Sequence, residues 1–225
     1  MPALDSSLSR RERERQMRRT AILDAARVVF AEKGYENATL DEVARRAEFG
    51  KGTLYNYFED GKEGLLFAVF DALYDDLQAL IASTATPEAV RERSLRAVFR
   101  EIVENRFDFF LKREDLFFIL MKEKVRFMFG EDAEKATYFQ RQQHRLVEAF
   151  MPALEAAIET GEIKDLPPRA VGHMFGGNIN GMLTHMAMTR HSRLEHCDEP
   201  AIQTPEEATD FLTTMLFDGL SVGRS

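Results

Sequence analysis

Residues 51–58 form a short segment in which most side chains can donate or accept hydrogen bonds. If the segment is helical, Leu54 and Phe58 share a face because they are four residues apart, and both are apolar enough to anchor it. The other face then presents groups that can bond to base edges and phosphates. Gly52 leaves the helix start without a side chain, so the backbone can approach DNA closely, and helix N-termini favour phosphate. The polar residues are Lys51, Thr53, Tyr55, Asn56 and Tyr57.

Two elements that precede this segment are suited to hold it in place. Thr39 and Glu42 have the spacing of a capping box, which predicts a second short helix that ends near Ala47. A longer helix comes before it, with apolar residues at helical spacing and Gly34 at its end. A long helix followed by two short helices and a four-residue turn is the layout of a helix-turn-helix. In that arrangement the third helix enters the major groove of DNA.

Charge is distributed unevenly along the chain. The formal net charge of the 225 residues is −8, which by itself argues against nucleic-acid binding. Residues 1–62, however, carry 12 Lys and Arg against 11 Asp and Glu, whereas residues 63–225 carry 18 against 27. Six arginines and three acids lie within the first 19 residues. This basic arm can bind phosphates or can simply form a solvated helix start.

The sequence gives little support for catalysis, metal binding or membrane insertion. There is no phosphate-cradling loop, nucleophile elbow or metal-binding helix motif, so we expect neither an enzyme nor a cofactor. The single cysteine, Cys197, follows His191 and His196, but this spacing matches no zinc site and we expect no metal. No uncharged apolar run approaches the roughly 18 residues that a membrane helix needs. We therefore expect a cytoplasmic protein that does not bind a membrane.

The segments described above together resemble the N-terminal domain of the TetR family of transcriptional regulators. The likeness covers about residues 18–70. It implies an all-α protein with a three-helix helix-turn-helix DNA-binding domain at residues 1–62 and a larger helical ligand-binding and dimerisation domain at residues 63–225. It also implies a repressor that leaves a palindromic operator when a small, hydrophobic or aromatic effector binds. The likeness is carried by residues 39–47 (Thr-Leu-Asp-Glu-Val-Ala-Arg-Arg-Ala), 51–58 (Lys-Gly-Thr-Leu-Tyr-Asn-Tyr-Phe) and 62–66 (Lys-Glu-Gly-Leu-Leu).

The resemblance also implies roles for individual residues on double-stranded DNA. Thr39 would contact a phosphate at the start of the second helix, and Lys62 would hold another from the start of the fourth. Lys51 and Thr53 would face base edges, since an ammonium suits guanine and a methyl group suits thymine. The two tyrosines would contact the groove or the backbone, and Asn56 would point to the backbone or to solvent. The full predicted DNA-binding set is Thr39, Lys51, Gly52, Thr53, Tyr55, Asn56, Tyr57 and Lys62.

Two stretches depart from the usual pattern of the family. The turn reads Ala-Glu-Phe-Gly at residues 47–50, where the family commonly has Ala-Gly-Val-Ser. We expect Glu48 to be left-handed there, at a cost of order 1 kcal/mol. The linker from Phe58 to Lys62 is one residue longer than the family's Phe-x-x-Lys and should shift Lys62. These departures leave open a second hypothesis, a helical dimeric small-molecule-binding protein that does not bind an operator.

The rest of the chain also has helical periodicity. A long fourth helix begins near Lys62, and glycines and prolines punctuate the helices that follow it. Pro152 should kink or divide one of these helices. The later helices are predicted at residues 88–111, 114–128, 132–160, 168–190 and 205–221.

A phenylalanine-rich stretch could line an effector pocket. Nine of the 18 phenylalanines lie between Phe99 and Phe139. Phenylalanines at helical spacing also form ordinary core, and both interpretations stay open. Four nearby cations, Arg106, Lys112, Arg113 and Lys122, could pair with an acidic ligand, but we expect them on a solvated face. The candidate ligand-binding residues are Phe107, Phe110, Phe117, Phe118, Met121, Phe175, Asn178 and Met182.

Four glycines inside the predicted helix 168–190 need a structural reason. Glycine inside a helix costs roughly 1 kcal/mol relative to alanine, so close packing or open space should compensate. The glycines could let a helix of a second copy approach, they could leave room for a ligand within one subunit, or the segment could be irregular there. The resemblance implies the first, a homodimer whose recognition helices reach major grooves about 34 Å apart. These glycines are Gly172, Gly176, Gly177 and Gly181.

Overall fold

A computed structural model describes residues 9–191, 202 and 204–219, without the side chains of residues 189–191. Within this part of the chain every regular element is an α-helix, which confirms the predicted all-α fold. The helices are α1 (Arg10–Asn37), α2 (Leu40–Arg46), α3 (Lys51–Tyr57), α4 (Gly61–Thr84), α5 (Pro87–Arg93), α6 (Leu95–Leu111), α7 (Glu114–Met128), α8 (Ala133–Glu159), α9 (Pro168–His191) and α10 (Pro205–Phe217).

The described residues divide into two compact units. The N-terminal unit runs to Leu73 and includes Ile119–Glu123 of α7. The C-terminal unit begins at Tyr74 and holds the remaining helices. The domain boundary expected from the sequence, between residues 62 and 63, falls at the start of α4, whereas the division between the units falls further along the same helix. One continuous helix therefore carries the chain from the first unit into the second.

The N-terminal unit is built on a small apolar core. Phe30 of α1, Leu54 of α3 and Leu65 and Phe70 of α4 are each at most 1% exposed. Burial of each such side chain stabilises the folded state by about 1.5–3 kcal/mol relative to exposure. Gly34 has a φ of +72° and interrupts α1 close to its end, where a glycine meets no steric penalty. The second helix, α2, contacts both α1 and α3 beside this core.

In the C-terminal unit, α9 packs beside α8 and α10 packs beside α6. Phe175 of α9 lies at the centre of an aromatic cluster in this unit. Its ring centroid is 4.5 Å from that of Phe99, 5.6 Å from that of Phe150 and 5.8 Å from that of Phe217. Offset and edge-on pairs of this kind add about 0.5–1.5 kcal/mol each beyond the area they bury. The cluster joins α6, α8, α9 and α10 into one core.

Two helix predictions for this unit were wrong in detail, and one alternative for Pro152 is excluded. The predicted helix 88–111 is two helices, because Ser94 has a φ of +91° and caps α6 by accepting from Ala97 N at 3.3 Å. Pro152 does not divide α8, which runs from Ala133 to Glu159 as one helix, while the alternative that it kinks the helix stays a prediction. The last helix ends at Phe217 and not at residue 221, and residues 220–225 lie outside the described part.

Candidate DNA-binding and ligand-binding sites

The capping box predicted at the start of α2 is confirmed. Thr39 Oγ1 accepts from Glu42 N at 3.3 Å, and Glu42 Oε2 accepts from Thr39 N at 3.1 Å. The Lys33 ammonium donates to the other oxygen of Glu42, and this bond is the main reason why the pKa of Glu42 is lowered. Thr39 is exposed, so its hydroxyl hydrogen remains directed to a surface from which a phosphate can approach.

The turn between α2 and α3 adopts the expected left-handed conformation. Glu48 has a φ of +60°, which confirms the prediction for this residue. The turn is closed by two backbone bonds, from Glu48 N to Arg45 O at 3.3 Å and from Phe49 N to Ala44 O at 2.9 Å. Two bonds of this kind satisfy carbonyls that the end of α2 leaves free and stabilise the strained residue. The altered turn therefore preserves a helix-turn-helix connection.

The third helix has one buried and one accessible face. Leu54 and Phe58 are 1% and 6% exposed, as their spacing predicts. Lys51, Gly52, Tyr55 and Asn56 are exposed, while Thr53 and Tyr57 are half-buried. The polar groups of α3 thus lie on an outward surface that a rigid core supports. This is the geometry in which a short helix can read base edges.

The ammonium group of Lys51 is paired within the protein. Its Nζ lies 3.0 Å from Asp41 Oδ2 of α2, and both side chains are more than half exposed. The hydrogen bond to Asp41 raises the pKa of Lys51. Lys51 is therefore charged at neutral pH, and a base or phosphate that binds it competes with Asp41.

Lys62 occupies a different environment from the one expected. Its ammonium donates to three carbonyls at the end of α1, Tyr35 O and Glu36 O at 3.0 Å and Ala38 O at 3.1 Å. The same nitrogen lies 4.7 Å from the centroid of the Tyr35 ring. An ammonium has three hydrogens, so all of them are used. To hold a phosphate, Lys62 would have to give up bonds that close the end of α1.

Arginines of α1 lie beside the third helix, a placement that sequence spacing did not predict. The guanidinium of Arg15 lies 5.9 Å from the centroid of the Tyr57 ring, and that of Arg19 lies 5.6 Å from the centroid of the Phe58 ring. Ser9 caps the start of α1 and, with Glu12, completes a capping box. The basic arm is thus an ordered helix from Arg10 onward, and its charge stands next to α3.

The C-terminal unit contains a cavity and a groove, and different residues of the predicted ligand-binding set line each of them. An internal cavity of about 20 Å³ lies among α4, α6, α8 and α9, and Phe175 forms part of its wall. An open groove of about 560 Å³ lies between α9 and α10, and Asn178 and Met182 form part of that surface. A cavity of the first size holds about one water molecule. Of these two spaces, the groove is the one with room for a ligand without a change of shape.

The other predicted ligand-binding residues lie on α6 and α7. Phe107 and Phe110 are buried at 0% and 2% exposure. Phe117 packs edge-on against Phe110 with the ring centroids 4.6 Å apart, while Phe118 and Met121 are half-buried. The phenylalanine-rich stretch is therefore largely packed core, and the structure does not gather the eight predicted residues around one cavity.

Arg106 is not on a solvated face, and the sequence prediction for it was wrong. Its side chain packs within the C-terminal unit, and the residue is only 5% exposed. Nη2 donates to Asn180 Oδ1 at 2.7 Å, while Nε is buried without a hydrogen-bond partner. Burial lowers the pKa of Arg106 to about 10, so the group is still charged at neutral pH. Arg106 also forms part of the wall of the internal cavity.

The four glycines of α9 serve two different surfaces. A Cβ on Gly172 would lie 3.0 Å from Val147 Cγ1 of α8, and one on Gly176 would lie 3.4 Å from Gln143 Nε2. These two glycines therefore permit α8 and α9 to pack closely within one subunit. A Cβ on Gly177 or Gly181 would meet nothing within 4 Å, because both face the open groove.

Neither a metal-ligand cluster nor a membrane-spanning helix is present in the described part of the chain. Within these ranges, three or more potential ligands do not cluster around any point that could hold a metal ion. The candidate residues His196 and Cys197 lie outside these ranges, as does the side chain of His191. None of the described helices is both long enough and apolar enough to span a membrane.

Comparison with known proteins identifies the N-terminal unit. Residues 22–69 match the family model described as bacterial regulatory proteins, tetR family. The HTH-type regulator YhgD of Bacillus subtilis is 26% identical over 67% of this chain and 74% of its own length. The repressor KstR2 of Rhodococcus jostii is 25% identical over 65% and 68%. Among solved structures, the regulator FadR of Bacillus subtilis, in complex with stearoyl-CoA, superposes with a TM-score of 0.68 at 20% identity, covering 90% of this chain and 99% of its own.

Proposed function

We propose that this chain, whose residues 22–69 match the model of bacterial regulatory proteins of the tetR family, is a ligand-responsive repressor. A small molecule that binds the C-terminal domain releases the protein from a palindromic operator. The observation that carries this proposal is the outward polar face of α3, supported by the buried Leu54 and Phe58. Such a helix presents hydrogen-bonding groups at the depth of a major groove. The named repressor KstR2 supports repression as the direction of control.

Charge around α3 supports contact with a duplex. Lys51 lies at the first position of the helix, and Arg15 and Arg19 of α1 stand beside its last turn. Clustered cations release condensed counterions from DNA and favour association even where the whole protein is acidic. Thr39, Tyr55 and Tyr57 provide further hydrogen-bonding groups, and contacts of this kind to the DNA backbone fix the position of the protein along the duplex.

A homodimer is part of this proposal. The groove between α9 and α10 exposes apolar side chains, among them Met174 at 45% and Phe211 at 43%. Gly177 and Gly181 leave this surface without side chains at two further positions, so that another helix can approach it. An apolar, concave surface of this kind is the type that a second copy covers. A dimer also provides the two recognition helices that a palindromic operator requires.

The effector is proposed to act through the C-terminal unit. The internal cavity is mostly apolar, which favours a hydrophobic ligand, and FadR provides a precedent because it binds stearoyl-CoA. Ile81 of α4 is one of the cavity walls, and α4 begins in the DNA-binding unit. A ligand that enlarges the cavity therefore displaces the helix on which the helix-turn-helix is mounted. Ligand binding can reduce operator affinity only if the ligand binds the operator-free conformation more tightly than the operator-bound conformation.

The test is selection from a pool of random duplexes, followed by titration of the enriched site at several salt concentrations. We expect a palindromic site with half-sites about one helical turn apart. Lys51→Ala should weaken binding and reduce the salt slope by about 1, and Tyr57→Ala should weaken binding as well. Lys164→Ala, an exposed lysine of the C-terminal unit, is the matched control and should bind as the wild type does.

The rival hypothesis is a helical dimer that binds a small molecule but no operator. The longer linker before Lys62 favours it, because the Lys62 ammonium is used inside the protein. Failure to enrich any duplex at low salt would contradict the repressor proposal and favour this rival. Enrichment of a site that neither Lys51→Ala nor Tyr57→Ala weakens would contradict the assignment of α3 as the reading helix.

A further inference from the structure

Arg106 carries a buried positive charge that the protein does not neutralise. In the described part of the chain no carboxylate lies within 4.0 Å of its guanidinium, and its one hydrogen bond is to the neutral amide of Asn180. The nearby phenol of Tyr74 is itself buried, which raises its pKa to about 12, so it stays uncharged at neutral pH. An unpaired buried charge costs several kcal/mol, and a hydrophobic residue of similar size would avoid that cost.

The surroundings of Arg106 have the composition of a binding site for one anion. The guanidinium forms part of the cavity wall, and its buried Nε is a donor without an acceptor. Apolar side chains from four helices form most of the remaining wall, including Ile81, Leu146 and Phe150. Arg106 is the only cation among the residues that line this cavity. One cation in an apolar wall matches a ligand with one negative charge and a hydrophobic body.

We propose that Arg106 is the anion-binding residue of the effector site, and that the effector is a small organic carboxylate with an apolar body. The carboxylate accepts hydrogen bonds from the guanidinium, as in bidentate arginine pairs. The apolar body of the ligand displaces apolar side chains that line the cavity. This inference rests on the proposed function, since it names the ligand class of the proposed effector site.

Binding must enlarge the cavity, which now holds only about one water molecule. Enlargement requires α8 and α9 to move apart, because a Cβ on Gly172 would already lie 3.0 Å from Val147 Cγ1 and one on Gly176 would lie 3.4 Å from Gln143 Nε2. The Asn180 amide can then keep its bond to Nη2 while the ligand binds the unsatisfied Nε. The buried charge gains its missing partner only in the ligand-bound protein.

The experiment compares carboxylates with uncharged analogues of the same shape. Calorimetric titration of the full chain at neutral pH uses linear carboxylates of increasing length and 3-phenylpropionate, each beside its primary alcohol. We expect at least one carboxylate to bind below about 1 mM and its alcohol to bind about ten- to a hundredfold more weakly. No carboxylate binding at that concentration, or equal binding of acid and alcohol, would overturn the proposal. This comparison needs no variant.

Variants then assign the preference to Arg106. Arg106→Met should abolish the difference between acid and alcohol without lowering the melting temperature, because it removes an unpaired buried charge. Arg106→Lys keeps the positive charge but lacks the planar guanidinium group, so it should retain part of the preference for acid over alcohol. Arg100→Met, on the exposed side of the same helix, is the control and should keep the full preference. An undiminished preference in Arg106→Met would overturn the assignment.

Operator binding separates this inference from the proposed function. A carboxylate that binds through Arg106 without changing operator affinity would support the site and contradict the release mechanism. A neutral molecule that displaces the protein from DNA, with no carboxylate binding, would support the repressor and overturn the role of Arg106. The same titrations with and without the enriched duplex give both answers.

Discussion

Two lysines flank the recognition helix, and their ammonium groups serve different purposes. Lys51 is exposed and held by one carboxylate that a nucleic acid can displace. Lys62 donates to three backbone carbonyls and lies against the ring of Tyr35. A lysine whose three hydrogens satisfy helix-end carbonyls stabilises the fold, whereas one paired with an exposed acid is available to a ligand. The residue type alone does not distinguish these roles.

Lys62→Met should destabilise the protein and leave operator affinity nearly unchanged for the molecules that remain folded. Three carbonyls at the end of α1 lose a charged donor, which we expect to lower the free energy of unfolding by roughly 1–3 kcal/mol. Chemical denaturation measures the loss, with Lys164→Met as the control. A large drop in operator affinity without loss of stability would instead assign Lys62 to a phosphate.

Asp41→Asn should strengthen operator binding. The substitution releases the Lys51 ammonium from its partner and removes a negative charge next to α3, so we expect a severalfold gain at low salt that shrinks as salt rises. The pKa of Lys51 falls when this partner is lost, but the group stays protonated at neutral pH. Glu59→Gln, which removes one charge beyond the end of α3, is the control. Equal gains in both variants would mean that Asp41 has no specific effect on Lys51.

Among the helices, α9 has glycines on two of its faces, one packed against α8 and one facing the open groove. Gly172 and Gly176 face α8 within the subunit, while Gly177 and Gly181 face the groove. The distinction is a matter of helix rotation, since residues 176 and 177 are adjacent but about 100° apart around the axis. The sequence spacing pointed to close helix packing, but at Gly172 and Gly176 the neighbouring helix is α8 of the same subunit, which was not among the alternatives considered.

Gly172→Ala and Gly177→Ala should change stability in opposite directions. Both gain helix propensity, which stabilises by up to about 1 kcal/mol. At Gly172 the new methyl lies 3.0 Å from Val147, and overpacking of a core costs typically 1–3 kcal/mol, so a net loss is expected. Denaturant titration of both variants measures the difference. Equal stabilisation by both substitutions would show that α8 and α9 are not closely packed at Gly172.

At the scale of the whole molecule, the chain combines a basic, exposed reading surface with an acidic C-terminal part. Residues 63–225 carry nine more acidic than basic side chains, so the cations near α3 stand out against the rest of the protein. The same C-terminal unit exposes an apolar groove that is open to solvent in a single copy. A monomer seldom keeps such a surface uncovered, and self-association is the consequence we expect.

Phe211→Glu should convert the proposed dimer to a monomer. A charge placed in an apolar interface loses its hydration without gaining a partner, which typically costs several kcal/mol. Light scattering after size-exclusion chromatography measures the mass, and Phe129→Glu is the control because Phe129 is 86% exposed and lies outside the groove. A Phe211→Glu variant that remains dimeric would place the interface on another surface of the protein.

Local features of this protein were predictable from short stretches of its amino-acid sequence. The capping box at Thr39, the two faces of α3 and the left-handed Glu48 follow from interactions within about four residues, and each is confirmed. The match of residues 22–69 to the tetR family model rests on the same short-range patterns, because they carry the helix-turn-helix. Features of this kind depend on backbone geometry, which the local sequence encodes.

Contacts between residues far apart in sequence were not predictable in this way, because they depend on how the helices pack. Arg106 and Asn180 are 74 residues apart, and the three carbonyls that bind Lys62 come from 24 to 27 residues earlier. The partners of Gly172 and Gly176 are likewise set by how α8 and α9 pack. Long side chains reach whatever the fold places beside them, so burial of a cation or crowding at a glycine depends on packing and not on spacing along the chain.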